Sequence, residues 1–446
     1  MVAELERSVV WLAEAARRGE AVEAYAEERT QTEVVAYEGE VERMTSASTR
    51  GVGVRVLRDH RLGYAFTTEL SEDGLRSCLE EAQTNLAFSS ADEGNVLAEA
   101  QPFEPVEGLF SVDHAEAGVE RKVALALQLE RETRQADSRV RVVEAASYGD
   151  ALVHAAIASS LGIAGSYGAT AAWCSAVALA GEGEGTQVGS SVRAGRGIDE
   201  LHTQVVAMEA AQRASRMVGA SKPLSASVPV VLDEHTAPSL IGVVLAALSA
   251  EAVQKRRSVF AGALGEQVAA AGVRLIDDGR LAMGLGSVPF DGEGVPTGRL
   301  VLIEDGLLRG YLHNVATAAR AGTRSTGSGV RGSFKATPGV GAHNAYLEPG
   351  DVDEAGLIAR AGNGLLVQEV SGVHSGTNPT TGDFSVGASG LWIRGGELAE
   401  HVRDITVAGR LTDLLAGIVA VGRDLRFTGS VARQAVLIGE MTVAGA

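Results

Sequence analysis

Glu234 and His235 stand side by side at the head of an apolar run, DEHTAPSLIGVVLAALSAEAVQKRRSVF, residues 233–260. A carboxylate beside an imidazole is half of what zinc-assisted hydrolysis needs. Such a site takes two or three histidine, carboxylate or thiolate donors, and donors about one turn apart on a helix share a face. Helix signals in the run are strong: Asp233 or Thr236 can cap it, Pro238 suits its first turn, and Lys255, Arg256 and Arg257 fall at the negative end of the dipole. Yet no second histidine follows and the interior is almost wholly apolar. Taken alone, the segment reads as a core helix.

Other donors are scattered. His313, His343 and His374 fall in loop-like sequence, where rigid scaffolds tend to carry function, but no H-x-x-x-H spacing and no close cysteine pair accompanies them. No G-x-S-x-G elbow is present, and His374 and Ser375, being adjacent, point apart in extended chain. Gly327-Ser-Gly-Val-Arg-Gly332 satisfies the dinucleotide pattern letter for letter. Its context does not fit: no buried strand precedes it, and Pro338 and Gly339 stop a helix from following. The run 369–389, EVSGVHSGTNPTTGDFSVGAS, concentrates polar residues around tight turns at Asn378-Pro379 and Thr381-Gly382-Asp383.

The elements that must position these residues divide near residue 224. Before it, an amphipathic first helix leads to alternating segments at Val22–Glu27, Thr32–Tyr37 and Val41–Thr45, and to a hairpin turning at Arg58-Asp59-His60-Arg61. Ser71 or Asp73 caps a helix burying Leu75, Cys78, Leu79, Ala82 and Leu86. A loose Glu- and Pro-containing stretch, 91–113, leads to a helix from Gly118 to Gln135 with Val123, Ala124 and Leu127 inward. Short strands separated by Gly-containing turns fill 140–191, followed by a helix from Ile198 to Val218. The segment GASKPLSASVP breaks the pattern. Beyond it the chain is Gly-rich and strand-rich, with one central helix over Thr236–Arg257 and shorter ones near Asp353–Ala361 and Leu411–Ala416. The expected fold class is α+β in two domains. Residues 1–224 form a sandwich-like α/β domain with a mainly antiparallel sheet, and residues 225–446 form a strand-rich domain with a central helix.

Bulk properties narrow the function. The 446 residues exceed one ordinary core, and a net charge of −18 argues against nucleic-acid binding, which rests on clustered Lys and Arg. Cys78 and Cys174 are the only cysteines, both in apolar periodic segments, so a disulfide scaffold is excluded. The N-terminus has acids where a signal peptide has bases, and no apolar run reaches the roughly 20 residues of a membrane span. A cytoplasmic protein without membrane contact is expected.

Six blocks in order carry a resemblance over nearly the whole chain: GVGVRVLRDHRLGYAFTTELS, SLGIAGSYGAT, FAGALGEQVAAAGVRLIDDG, DGEGVPTGRLVLIEDGLLRGYLHNVATAARAG, TGDFSVGASGLWIRGGEL and DITVAGRLTDLLAGIVAVGRDL. Together they resemble the TldD/PmbA family, once called modulators of DNA gyrase and now understood as bacterial and archaeal peptidase components. The family has two branches that pair. TldD-type members carry His-Glu-x-x-x-His or a close variant on a helix just before a Phe-Ala-Gly block, with a late cysteine completing the zinc site. Counting back from Phe260-Ala261-Gly262, the matching window here is Ile241-Gly242-Val243-Val244-Leu245, so Ile241, Gly242 and Leu245 stand where ligands would be. The last cysteine is Cys174. TGDFSVGASG and the His313-Asn314 pair look like the PmbA branch, also called TldE.

The resemblance therefore implies a non-catalytic subunit, with no cofactor of its own, in a heterodimer whose TldD-like partner holds zinc. The substrate would be a peptide or unfolded protein, with a homodimer as the alternative assembly in isolation. Family substrates include ribosomally made peptide precursors and an unfolded antitoxin. Candidate substrate-cleft residues are His313, Asn314, Arg331, Asn344, Glu369, His374, Thr381 and Asp383. Two rival readings are a stand-alone hydrolase or tailoring enzyme acting on a modified peptide, and a non-enzymatic regulator linked to DNA gyrase.

Overall fold

The computed structural model describes residues 2–282 and 284–445. Where alternation predicts three short strands between Val22 and Thr45, the chain forms two long ones, β1 (Ala21–Tyr37) and β2 (Glu40–Arg58). The charged interruption Glu28–Gln31 stays extended because its backbone is paired on both sides, by β2 and by β4 (Val140–Ser159). The turn between β1 and β2 is Glu38-Gly39, both at positive φ (50° and 82°), whose twist suits an antiparallel hairpin. The next turn, to β3 (Arg61–Thr67), falls where expected: Asp59 and His60 take φ of 52° and 58°.

β5 (Ala164–Ala180) and β6 (Gln187–Gly195) complete an antiparallel sheet in the order β3-β2-β1-β4-β5-β6. The expected short pieces are thus long strands, and Gly149 lies inside one rather than at a turn. Trp173 sits directly across from it, and a Cβ on Gly149 would come within 2.3 Å of the indole.

One face of this sheet is covered by helices. Val22, Ala24, Ala26, Val34 and Ala36 of β1 are all even-numbered and all point that way, as alternation dictates. The helix Val2–Glu14 seats Leu5, Val9 and Leu12 at one end, each such side chain contributing about 1.5–3 kcal/mol of burial. Beside it Glu72–Asn85, capped by Ser71 Oγ on the Gly74 amide at 3.2 Å, buries Leu75, Cys78 and Leu79. Helices Val119–Ala136 and Thr203–Ser215 cover the other end. The inward stripe of the former is Ala126, Leu129 and Thr133, whereas Ala124 is exposed. Val123 and Leu127 pack partly buried against the same core, as expected, so of the three expected inward residues only Ala124 faces solvent. Both cysteines are buried, and burial pushes each thiol up to about 12, so they act as small apolar residues.

The second large sheet runs in the order Glu397–Arg410, Asp383–Arg394, Gly364–Ser371, Ala226–Leu232, Val436–Ala444, Ile418–Val421. Its pairings are antiparallel apart from Leu365–Val367 against Val230–Leu232. Between this sheet and a smaller four-stranded one lies the central helix, with Leu240, Val244 and Ala247 in the shared core. The helix expected to reach Arg257 stops at Ala247 and resumes only as Ala250–Gln254. Leu312 decides this. Its amide donates to the Leu248 carbonyl (3.0 Å) and its carbonyl accepts from the Ala250 amide (2.9 Å), so the break leaves these backbone groups paired. The shorter helices form at Glu354–Ala361 and Leu411–Ala416, as expected.

The odd-numbered face of the first sheet meets the C-terminal half through Tyr25, Ile157, Phe290 and Phe334. Within this contact Arg55 of β2 donates to Glu23 (2.9 and 2.5 Å) and to Glu293 (3.1 Å), while Arg331 also pairs with Glu23. No helix among the described residues is long and apolar enough to cross a membrane.

Candidate functional site

β6 is the last strand of its sheet, so one side of its backbone is unpaired. That free edge borders a row of cavities between the two halves of the molecule. One of about 590 Å³ is walled by Arg193, His202, Arg426, Phe427 and Arg433 with Val192–Gly195 of the strand. A second, about 260 Å³, lies between Val188–Ser190 and the side chains of Arg213, His235, Gln368 and Arg433. A third, about 410 Å³, touches Gln187 and Val188 and reaches Glu369 and Ser389.

At the centre of this row the adjacent pair Glu234-His235 acquires a third member that spacing did not reveal. Glu209, from the helix Thr203–Ser215, brings a carboxylate oxygen 2.7 Å from His235 Nε2. Each donor is already engaged. Glu209 also accepts from Ser191 Oγ (2.7 Å) and pairs with Arg193 (2.9 Å), and Glu234 takes two contacts of 3.1 Å from Arg426. Arg433 lies 2.6 Å from His235 Nδ1. A guanidinium has no lone pair to offer, so Nδ1 accepts and the proton on Nε2 points at Glu209. Burial raises the Glu209 carboxyl, but the His235 hydrogen bond, Arg193 and Ser191 together hold it well below the usual range. Three potential ligands thus converge, spent on arginines and on one another, and the set does not fit a metal ion.

Asp233 anchors the same corner. Its Oδ1 accepts from the amides of His235 and Thr236 at 2.9 Å, closing the turn that leads into the central helix, and Oδ2 pairs with Arg213 at 2.5 Å. One turn further along, Ile241 and Leu245 are buried in the core and Gly242 has no neighbour within 4 Å of where a Cβ would stand. The window presents no atom able to ligate zinc.

The remaining candidates separate into three groups. His313, Asn314, Arg331 and Asn344 are internal. Asn314 caps the helix Val315–Ala321 through a box with Thr317, and Asn344 donates to the Asp278 carbonyl (2.6 Å) and Ser287 (2.9 Å) and accepts from the Gly286 amide (2.9 Å). Arg331 joins Glu23 and lies over the Tyr25 ring. His313 is buried with Nδ1 unpartnered among the described residues, and burial lowers its pKa. His313 and His343 are linked through one loop: the His313 carbonyl accepts from Thr326 and Ser328 amides, and His343 Nε2 bonds the Gly327 carbonyl (2.7 Å). That loop is the glycine pattern of 327–332. Gly329-Val330 pairs as a strand with Gly339-Val340, and no helix follows.

His374, Thr381 and Asp383 are exposed and lie on three successive pieces of chain: His374 in the short helix Val373–Gly376, Thr381 in the turn that follows, and Asp383 at the start of the strand Asp383–Arg394, where it pairs with Arg410 at 3.5 Å. Only Glu369 of the eight lines the cavities along β6. Glu209, Arg193 and Arg433 carried no distinguishing spacing; they come from three separate elements.

Two large, mainly antiparallel sheets with a polar cleft along one free strand edge define the architectural class, an α+β protein. Profiles of the PmbA/TldA metallopeptidase match residues 22–86 as domain 1, 113–218 as the central domain and 225–445 as the C-terminal domain. The chain belongs to the PmbA/TldD family. It is 28% identical over 411 residues to Metalloprotease PmbA of Escherichia coli O157:H7, covering 91% of this chain and 88% of that one. With a Metalloprotease TldD homolog of Haemophilus influenzae it shares 27% identity over 391 residues, 83% and 79% of the two chains. A Thermotoga maritima crystal structure, proposed as a modulator of a DNA gyrase, superposes with a TM-score of 0.90 at 29% identity over 100% of both chains. TldE from Thermococcus kodakarensis shares the fold, with a TM-score of 0.90 at 22% identity over 99% of this chain and 100% of that one.

Proposed function

We propose that this chain is the zinc-free subunit of a two-subunit metallopeptidase, pairing with a TldD-type chain and helping to enclose an extended or unfolded peptide in the cytoplasm. Support comes chiefly from one observation: within a metallopeptidase family, the helix window holds two apolar side chains packed into the core, Ile241 and Leu245, and a glycine, Gly242, with no side chain at all. Polar ligands at Ile241 or Leu245 would bury unpaired polar groups at considerable cost. The Glu209, Glu234 and His235 group does not substitute, because arginines occupy its donor atoms. Relatives named for both PmbA and TldD match the chain, which agrees with two related subunits acting together. In this reading zinc and the hydrolytic step belong to the partner, and this chain contributes binding surface.

The test is metal content and peptidase activity of the purified chain, alone and co-expressed with a TldD-type chain. The expected result is no stoichiometric zinc and no turnover alone, with a one-to-one complex that holds zinc and cleaves peptide. Tight zinc in the lone chain, or equal activity without the partner, overturns the reading.

A further inference from the structure

The loose segment 91–113 is tied to both halves of the molecule. Arg320 donates to both carboxylate oxygens of Asp92 at 2.8 Å, and Arg280 donates to the carbonyls of Glu104 and Pro105 at 3.0 Å. The segment then joins the first sheet: the Thr170 amide donates to the Leu109 carbonyl (2.9 Å) and the Ser111 amide to Thr170 Oγ1 (3.0 Å). Just before that junction a cavity of about 420 Å³ opens between the segment and β5.

Three rings bound this wedge. Phe103 and Phe110 come from the segment and Tyr167 from β5, with Pro105 and Pro289 adding to the walls. Phe290 holds two of the rings in place, its centroid 4.7 Å from that of Phe103 and 5.3 Å from that of Tyr167. Phe110 lies against His154 (5.8 Å between centroids) and keeps 38% of its surface exposed. Among the described residues no charged side chain lines the cavity.

The strand wall carries open backbone groups. β6 pairs with β5 only from Ala172 onward, so residues 164–171 have a strand on one side alone. Thr170 turns its amide and carbonyl outward, to Leu109 and to Arg196. By the two-residue period of a strand, Gly168 and Ser166 turn theirs the same way, and no loop or side chain among the described residues bonds them. Leu109 closes one end of this open stretch. Phe103 closes the other, packed so near Gly165 that a Cβ there would meet its ring at 2.2 Å. The gap therefore has room for one amide group and not for a strand.

We propose that this wedge is a binding site for a small, neutral, planar ring compound that carries a carboxamide. Its ring packs among Phe103, Phe110 and Tyr167, and its amide, a donor beside an acceptor, matches the open carbonyl and N–H of Gly168. An ionised ligand does not suit a lining without a counter-charge. Because the walls come from β5, from the segment and from Pro289 of the C-terminal half, a bound ligand ties the halves together and stabilises the fold by mass action. The wedge shares no lining residue with the cavities along β6, and its occupancy is independent of the subunit reading.

The experiment uses three soluble probes on the full chain: benzamide, benzoate and cyclohexanecarboxamide. Saturation-transfer NMR titration gives binding, and the thermal midpoint gives its effect on stability. Benzamide should bind in the millimolar range and raise the midpoint as its concentration rises. Benzoate should bind at least about tenfold more weakly, and the non-planar cyclohexanecarboxamide about threefold more weakly. Val106→Phe, at a half-buried lining position, fills the wedge and should weaken benzamide at least about tenfold, whereas Phe110→Ala removes one ring and should weaken it about threefold.

The comparison among probes on the unaltered protein needs no variant to fold. Benzoate binding as well as benzamide, no benzamide signal at about 10 mM, or benzamide binding unchanged in both variants overturns the assignment. None of these readouts involves zinc, peptide or a second subunit, so the subunit reading stands or falls separately.

Discussion

Arg55 Nη1 and Glu293 Oε1 stand 3.1 Å apart, joining β2 of the first sheet to the C-terminal half in a setting where both side chains are almost wholly buried. Opposite charges so placed hold the two halves in one orientation, because removing either partner strands the other away from water. Arg55→Met leaves Glu293 without its cation and Glu23 dependent on Arg331, and should cost about 3–5 kcal/mol in urea unfolding. A loss below about 1 kcal/mol would show that Arg331 alone carries the network.

Glu354 makes stability depend on pH. Burial first, then the Asp233 and Glu234 charges, push its carboxyl up to about 7, against the pull of Arg216 and Arg213. In the unfolded chain it titrates near the usual value of about 4.3, so the folded state binds the extra proton between the two values. Stability from this group therefore falls as pH rises from about 4 to about 7. Glu354→Gln should flatten that part of the profile and gain about 1–3 kcal/mol at pH 8. Thermal midpoints of both proteins across this range provide the measurement, and an unchanged slope contradicts the assignment.

Gly149 and Trp173 form a packed cross-strand pair. Because a Cβ at 149 meets the indole at 2.3 Å, Gly149→Ala should destabilise by about 1–3 kcal/mol. Combining it with Trp173→Val should cost less than the two single changes added together, which a double-mutant cycle in urea will measure.

The two loop histidines should behave differently. His313→Ala opens space inside the protein and should cost about 1–3 kcal/mol, whereas His374→Ala, in an exposed short helix, should stay within about 0.5 kcal/mol. Calorimetry of both variants decides this, and equal losses would place His374 in the core.

Much of the fold was legible because its signals are local. Ser71 caps its helix through its own neighbours, and Asp59-His60 turns its hairpin through its own backbone angles. Misreadings arose where a distant partner intervened. Glu28–Gln31 remains strand because β4 lies alongside, Gly149 is no turn because Trp173 lies across from it, and the central helix breaks where Leu312 exchanges hydrogen bonds with its backbone.

The candidate site divides in the same way. By itself the sequence determined the family frame and the apolar character of the helix window, since both are properties of residue type in order. Only the tertiary structure could set Glu209 against His235, and Arg433 beside an unpaired strand edge. Glu209 comes from a helix of the first half and Arg433 from a hairpin near the C-terminus, so no spacing relates them. Packing of the two sheets places them together, and the edge of β6 is free because no seventh strand among the described residues joins its sheet.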